Sequence, residues 1–320
     1  MVAKLTDVAE LAGVSPTTVS RVINNKGYLS EKTKQKVQEA MRTLGYKPNN
    51  LARGLQGKSA QLIGLIFPNI SNIFYSELIE YLEIELFKHG YKTIICNSEN
   101  DPAKEREYIE MLEANQVDGI ISSSHNLGID DYERVSAPII AFDRNLAPNV
   151  PIIASDNFEG GKLAARTLQK NGCENIIMIT GHDNTDSPTE LRALGFTFQI
   201  PHGEVFKVPN NLSTIRREME IKSIIARTRP DGIFVSDDLT AILTMKIAKQ
   251  LDLKIPEDLK IIGYDGTSFI ENFFPQLTTI RQPIDEIASL LVDILLKRIK
   301  GEKTSKDYIL PISLLPGSSI

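Results

Sequence analysis

From residue 61 onward the chain alternates short apolar runs with amphipathic stretches, and that rhythm leaves few folds open. The runs QLIGLIF (61–67), KTIICN (92–97), GIISS (119–123) and PIIAFD (138–143) are rich in β-branched residues and bounded by Gly, Asp and Asn. Helical patterns at 72–89 and 103–115 lie between them. A second series follows, with NIIMITG (175–181), EVFKV (204–208), GIFVSD (232–237) and KIIGYD (260–265) separated by helical patterns at 157–171, 213–228 and 237–251. Strands apolar on both faces belong in a parallel sheet covered by helices on both sides. Two successive series therefore predict an α/β body of two doubly wound parallel-sheet subdomains. Ligands of such sheets bind outside the carboxyl ends of the strands, here in the cleft between the halves.

Polar residues collect at those strand ends: Asp143-Arg144, Ser236-Asp237-Asp238 and Tyr264-Asp265. Arg192 lies beyond the Gly181 strand, and Gln282 follows the run TTIR. Carboxylates, an Arg and a Gln, with Phe74 and Phe269 available for stacking, suit a neutral polyhydroxylated ligand. An Asp at a strand end also serves to cap the next helix. Asp238 is assigned here to the cap, and Asp237 and Asp265 to the ligand.

The first 60 residues differ in character. LTDVAELAGVSPTTVSRVI (5–23) holds two short helical patterns around a turn at Gly13-Val14-Ser15. Val8, Leu11 and Ala12 mark one apolar face; Val19, Val22 and Ile23 mark another. Ser15 can cap the second helix and Pro16 suits its first position. This outlines a helix-turn-helix, whose second helix enters the major groove of DNA, although a plain helical hairpin has the same pattern. Thr17, Thr18, Ser20 and Arg21 point away from its apolar stripe and can reach bases and phosphates. A third helix, capped by Ser30 and carrying Val37, Ala40, Met41 and Leu44, ends at Gly45. KPNNLARGLQGK (47–58) follows: either a marginal short helix, with Asn49 as cap and Leu51 and Leu55 on one face, or a flexible tether.

Charge divides the same way. Residues 1–60 carry ten Lys/Arg against four Asp/Glu, a net of +6; the whole chain is −5, which leaves −11 for residues 61–320. A basic headpiece on an acidic body fits a chain whose end meets phosphate while its body stays off it. Cys96 and Cys173 read as buried small hydrophobes, and His89, His125, His182 and His202 lack metal-ligand spacing. No metal, cofactor or catalytic residue is therefore expected. With no signal-peptide or membrane-spanning run, a reduced, cytoplasmic protein is expected, without a membrane partner.

TDVAELAGVSPTTVSRVIN (6–24), VQEAMRTLGYKPNNLARGL (37–55), LIGLIFPNISNIFYSEL (62–78), DGIISSS (118–124), VSDDLTA (235–241), IIGYDGT (261–267) and LTTIRQP (277–283) together resemble the LacI/GalR family of transcriptional regulators, across nearly the whole chain. The resemblance implies a helix-turn-helix headpiece (1–46), a hinge helix and linker (47–59), and a type I periplasmic-binding-protein-like body (60–320) that binds effector and dimerises. The body would divide into residues 60–155 plus 284–307 and residues 156–283 plus 308–320. DNA contacts are implied for Thr6, Ser15, Pro16, Thr17, Thr18, Ser20, Arg21, Asn24 and Asn49, with Leu55 wedging into the minor groove. Effector contacts are implied for Phe74, Arg192, Asp237, Asp265 and Gln282, and in a second tier Asp143. The helix at 72–89 and the region 277–285 would contribute to a homodimer interface.

Two departures stand out. The segment after Arg192-Ala-Leu-Gly-Phe196 reaches the next strand quickly, so the helix it opens must be short or irregular. Pro16 at the head of the recognition helix leaves Thr17 as the main variable base reader. The implied function is repression of a sugar-utilisation operon, with HDNTDSPTELRALGF (182–196) pointing to sucrose, relieved by a sugar or sugar phosphate in the cleft. A corepressor-dependent regulator, strengthened by a ligand or phosphocarrier protein, is the alternative. A sugar-processing enzyme using Asp237 and Asp265 would need a nucleophile or an acid–base pair the sequence does not supply. The absence of a C-terminal heptad run argues against a zipper-assembled tetramer.

Overall fold

The computed structural model describes residues 3–23, 26–47, 59–124, 126–181, 190–209 and 212–320. The chain folds as two compact units, Met1–Ala60 and Gln61–Ile320.

The first unit holds three helices, α1 (Leu5–Ala12), α2 (Pro16–Ile23) and α3 (Glu31–Leu44). Gly13 ends α1 in the left-handed region at φ +64°, which glycine enters without steric cost. Ser15 Oγ accepts from the Thr18 amide at 3.1 Å and starts α2; Ser30 Oγ does the same for α3 through Thr33 at 3.2 Å. Val8, Ala9, Ala12, Val19, Val37 and Ala40 form the core. Leu11 is exposed, contrary to the sequence reading, because the buried stripe of α1 runs through 8, 9 and 12, well off Leu11 at 100° per residue.

The second unit contains two six-stranded sheets. The first is built from β1 (Leu62–Phe67), β2 (Lys92–Asn97), β3 (Gly119–Ser122), β4 (Ile139–Phe142), β5 (Ile152–Ser155) and β11 (Asp307–Leu310), in the order β11-β5-β4-β3-β1-β2 and all parallel. The second is built from β6 (Ile176–Thr180), β7 (Glu204–Lys207), β8 (Gly232–Val235), β9 (Lys260–Asp265), β10 (Thr278–Arg281) and β12 (Ser313–Leu315), in the order β12-β10-β9-β8-β6-β7 with only β12 antiparallel. Helices α4 (Ile73–Lys88), α5 (Pro102–Ala114), α6 (Ile129–Glu133) and α12 (Ile284–Ile299) follow strands of the first sheet or return to it. Helices α7 (Asn157–Lys170), α8 (Leu191–Gln199), α9 (Thr214–Thr228), α10 (Asp238–Gln250) and α11 (Ser268–Phe273) belong to the second.

Each sheet has apolar cores of its own. α4 and α12 pack on one face of the first sheet through Leu78, Leu82, Ile287 and Leu291; Ile109, Leu112 and Tyr132 cover the other. Ile221, Ile225, Ile247 and Ile270 cover one face of the second sheet, and Ala164, Leu168 and Phe196 the other. The chain crosses between the sheets three times, at Ser155-Asp156, at Gln282-Pro283 and at Pro311-Ile312. The last crossing corrects the boundary placed at 307/308, since Tyr308, Ile309 and Leu310 pair with Ile153, Ala154 and Ser155 in the first sheet. β5, β11 and β12 are three or four residues long, too short to carry a period of their own. No helix among the described residues is long and apolar enough to cross a membrane.

Candidate functional site

In the first unit, α2 turns Val19 into the core and leaves Ser15, Pro16, Thr17 and Arg21 exposed, with Thr18 and Ser20 half-buried; Thr6 on α1 is exposed too. Ser15 and Thr18 hold each other, Oγ to Oγ1 at 2.9 Å, so both shape the start of α2. Arg21 Nε donates to the Lys26 carbonyl at 3.4 Å. Tyr28, 95% exposed between α2 and α3, adds an aromatic surface that helical periodicity could not reveal. Asn24, Asn49 and Leu55, with most of the 47–59 linker, lie outside the described residues.

In the second unit the strand-end residues converge around Arg192, in the first turn of α8. This helix is nine residues long, short as expected, yet it carries Arg192 into the centre of the cleft. The guanidinium lies 3.6 Å over the Tyr264 ring. Its Nε donates to Asn157 Oδ1 at 2.6 Å and its Nη1 to the Ser236 carbonyl at 2.8 Å. Nη2 stands 3.6 Å from Asp143 Oδ2, and Nη1 4.0 Å from Asp265 Oδ1. Those two gaps are wider than a hydrogen bond and suit a hydroxyl that accepts from the guanidinium and donates to a carboxylate.

Both carboxylates sit on strained backbone, Asp143 at φ +52° and Asp265 at φ +120°. Asn157 Nδ2 donates to Asp143 at 2.8 Å, and Gln282 Nε2 to Asp265 at 2.8 Å. Ser155 donates to Gln282 Oε1 at 2.7 Å, joining the first two crossings. The Arg192–Asp143, Asn157–Asp143 and Ser155–Gln282 contacts thus link residues of the two sheets at the cleft floor. On the rim, Glu77 of α4 accepts from the amide and hydroxyl of Ser268 at 2.9 and 2.7 Å.

Two sequence assignments change. Asp237, not Asp238, caps α10: its oxygens accept from the Thr240 amide and hydroxyl, each at 2.8 Å. Asp238 points the other way, fully buried, and accepts from Thr279 Oγ1 at 2.6 Å and Gly266 N at 2.8 Å. Two adjacent Asp at a helix start face opposite sides, and sequence alone cannot say which faces inward. Phe74 is buried in the first core against Phe142, at a ring separation of 5.7 Å, and offers little face to a ligand. Phe269 packs on Phe273 and Phe274. Asn157 and Ser155 escaped the sequence reading; the run PIIASDN was the available signal for both.

Burial pushes the Asp238 carboxyl up to about 7. Asp143 and Asp265 shift upward for the same reason, against the pull of Arg192. A carboxyl whose folded pKa exceeds its unfolded value stabilises the fold fully below about pH 4 and loses that contribution as pH rises through about 7. Asparagine at 238 keeps an acceptor for Gly266 and can donate to the Thr279 hydroxyl. The melting temperature of the wild type relative to Asp238→Asn is therefore expected to fall from about pH 5 to about pH 8; a constant difference would contradict the buried, protonated Asp238.

Comparison with known proteins follows the same division. Residues 4–49 match the model of bacterial regulatory proteins of the lacI family, and residues 165–320 that of the periplasmic binding protein-like domain. The chain is 74% identical over 320 residues, all of both chains, to the sucrose operon repressor of Streptococcus mutans serotype c. It is 33% identical, with a TM-score of 0.73, to a periplasmic binding protein/LacI transcriptional regulator from Alkaliphilus metalliredigens solved with D-xylulofuranose, covering 81% of this chain and 99% of that one. The lac repressor dimer bound to operator and the anti-inducer ONPF is 25% identical, with a TM-score of 0.84, over 100% of this chain and 99% of that one. An exposed helix-turn-helix face, two doubly wound halves around a buried Arg–carboxylate cleft, and identity along the full length lead to one conclusion: the chain belongs to the lacI family of bacterial regulatory proteins.

Proposed function

We propose that the protein is a cytoplasmic, non-enzymatic repressor of a sucrose-utilisation operon, released from its operator by a sugar or sugar phosphate in the cleft. The observation that carries this reading is the placement of the buried Arg192 guanidinium between the carboxylates of Asp143 and Asp265, 3.6 and 4.0 Å away. A hydroxyl bound by Arg192 and Asp143 would replace a contact that joins the two halves, so effector binding changes the angle between them. Identity to a sucrose operon repressor supports the operon, and the D-xylulofuranose complex of a relative supports a sugar in the cleft.

The protein would act as a homodimer, as the lac repressor neighbour does, presenting two headpieces to a pseudo-palindromic operator. Tyr81, Ile84 and Phe87 leave an exposed apolar face on α4 that suits such an interface. Domain rotation would couple the cleft to the hold on operator DNA. Reciprocity requires operator DNA to weaken effector binding by the same factor, typically about 1–3 kcal/mol.

Leu55→Ala is expected to lower operator affinity more than tenfold, since a minor-groove wedge offsets base unstacking of about a few kcal/mol. Effector affinity should be unchanged; operator binding at wild-type strength would remove Leu55 from the hinge role. A mobility-shift titration with sucrose, fructose and glucose tests the whole reading, with loss of the shifted band as the expected outcome. A strengthened band would instead establish the corepressor alternative.

A further inference from the structure

The cap of α10 is tied to a neighbouring helix by a side chain that no step above uses. Arg217, in the first turn of α9, donates from Nη2 to Thr240 Oγ1 at 2.5 Å. Thr240 is buried, and its hydroxyl donates in turn to Asp237 Oδ2 at 2.8 Å. The direction of this relay is fixed. A guanidinium only donates, so the single proton of the Thr240 hydroxyl must point at Asp237. Asp237 is the half-buried carboxylate of the cleft rim, and the relay holds one of its oxygens in a single orientation.

Arg217 occupies a poor place for a cation. It lies in the first turn of its own helix and against the first turn of α10, where both helix dipoles are positive. Its Nε is buried and finds no hydrogen-bond partner among the described residues. The side-chain hydrogen bond it makes among the described residues goes to Thr240, and through it to Asp237.

We propose that Arg217 is a positioning residue of the effector site, acting through Thr240 to orient the Asp237 carboxylate toward bound sugar. This rests on the assignment of Asp237 to the effector, which the experiment must test separately. Full-length Arg217→Met, which keeps the aliphatic stem, and Thr240→Val, which keeps the branched shape, both break the relay. Each is titrated in an operator mobility shift with sucrose, D-fructose and D-glucose, using the sugar that releases the wild type. Both are expected to raise the releasing concentration about tenfold, with operator affinity in the absence of sugar and melting temperature unchanged. The double variant should be no worse than either single one, because one relay is broken twice, and Arg217→Lys should restore most of the response.

Additive effects, or effects that track melting temperature and basal operator affinity, would assign Arg217 to structure and overturn the proposal. Asp237→Asn separates the two ideas. If it impairs release while Arg217→Met and Thr240→Val do not, the relay is wrong and the effector assignment stands. If Asp237→Asn releases normally, or if no sugar releases the wild type, the assignment fails and the proposal falls with it.

Discussion

An Arg192→Ala protein should hold operator DNA and ignore effector, with effector affinity lowered about 100-fold or more. The guanidinium is the one group that touches Asn157, Ser236 and the Tyr264 face while standing between Asp143 and Asp265. Two charge-assisted hydrogen bonds to a ligand, at about 1.5–3 kcal/mol each, account for that loss. Removing one partner of a buried ion pair costs about 3–5 kcal/mol when the other charge is left behind. Here Asp143 and Asp265, already biased toward protonation by burial, can take up protons instead, which reduces the cost and lets the fold survive. Calorimetric titration with sugar and a mobility shift without it check both halves of the expectation. Normal release by effector would remove Arg192 from the site.

A single methyl at Gly161 should be almost as damaging, although residue 161 touches no ligand. A Cβ built there would stand 1.9 Å from the Arg192 carbonyl oxygen, and one at Gly195 would stand 1.9 Å from the Phe158 carbonyl oxygen. α7 and α8 therefore meet backbone to backbone through a pair of glycines, closer than helices with side chains between them can pack. Neither clash is with a flexible side-chain end, so the helices must separate. Gly161→Ala is expected to cost about 3 kcal/mol, lowering the melting temperature by roughly 10 °C. It should also displace Arg192 and weaken the effector response. An unchanged melting temperature with full response would show that the helices part without consequence.

These two residues show how unevenly the sequence exposes the molecule. The parallel sheets were legible because β-branched runs of five to seven residues recur with helical patterns between them, and burial on both faces leaves few other uses for such runs. The headpiece was legible because caps and glycine stops punctuate it: Ser15, Ser30, Gly13 and Gly45 all do what their chemistry predicts. Strand ends rich in Asp placed Asp143, Asp265, Arg192 and Gln282 in one cleft. The cap of α10 was placed on Asp238 rather than Asp237 because one rotation step of the helix start separates a rim cap from a buried acceptor. Phe74 was misread because an aromatic at a helix start can face the core or the cleft with the same periodicity. Asn157 was missed because its local signal, the run PIIASDN, does not say that its side chain meets Asp143 and Arg192.

By itself the sequence determined the class of most long elements, though not of the sixteen-residue helix α12, together with the division into a basic headpiece and an acidic body and the chemistry available at the strand ends. Those are local or summed properties, readable from spacing and charge. Only the tertiary structure decided which of two adjacent carboxylates faces inward and that Ser155 and Gln282 join the crossings. It alone decided that Gly161 and Gly195 let α8 approach closely enough to seat Arg192. Each depends on distances between residues far apart in the chain, set by how whole helices and sheets pack rather than by any pattern within them.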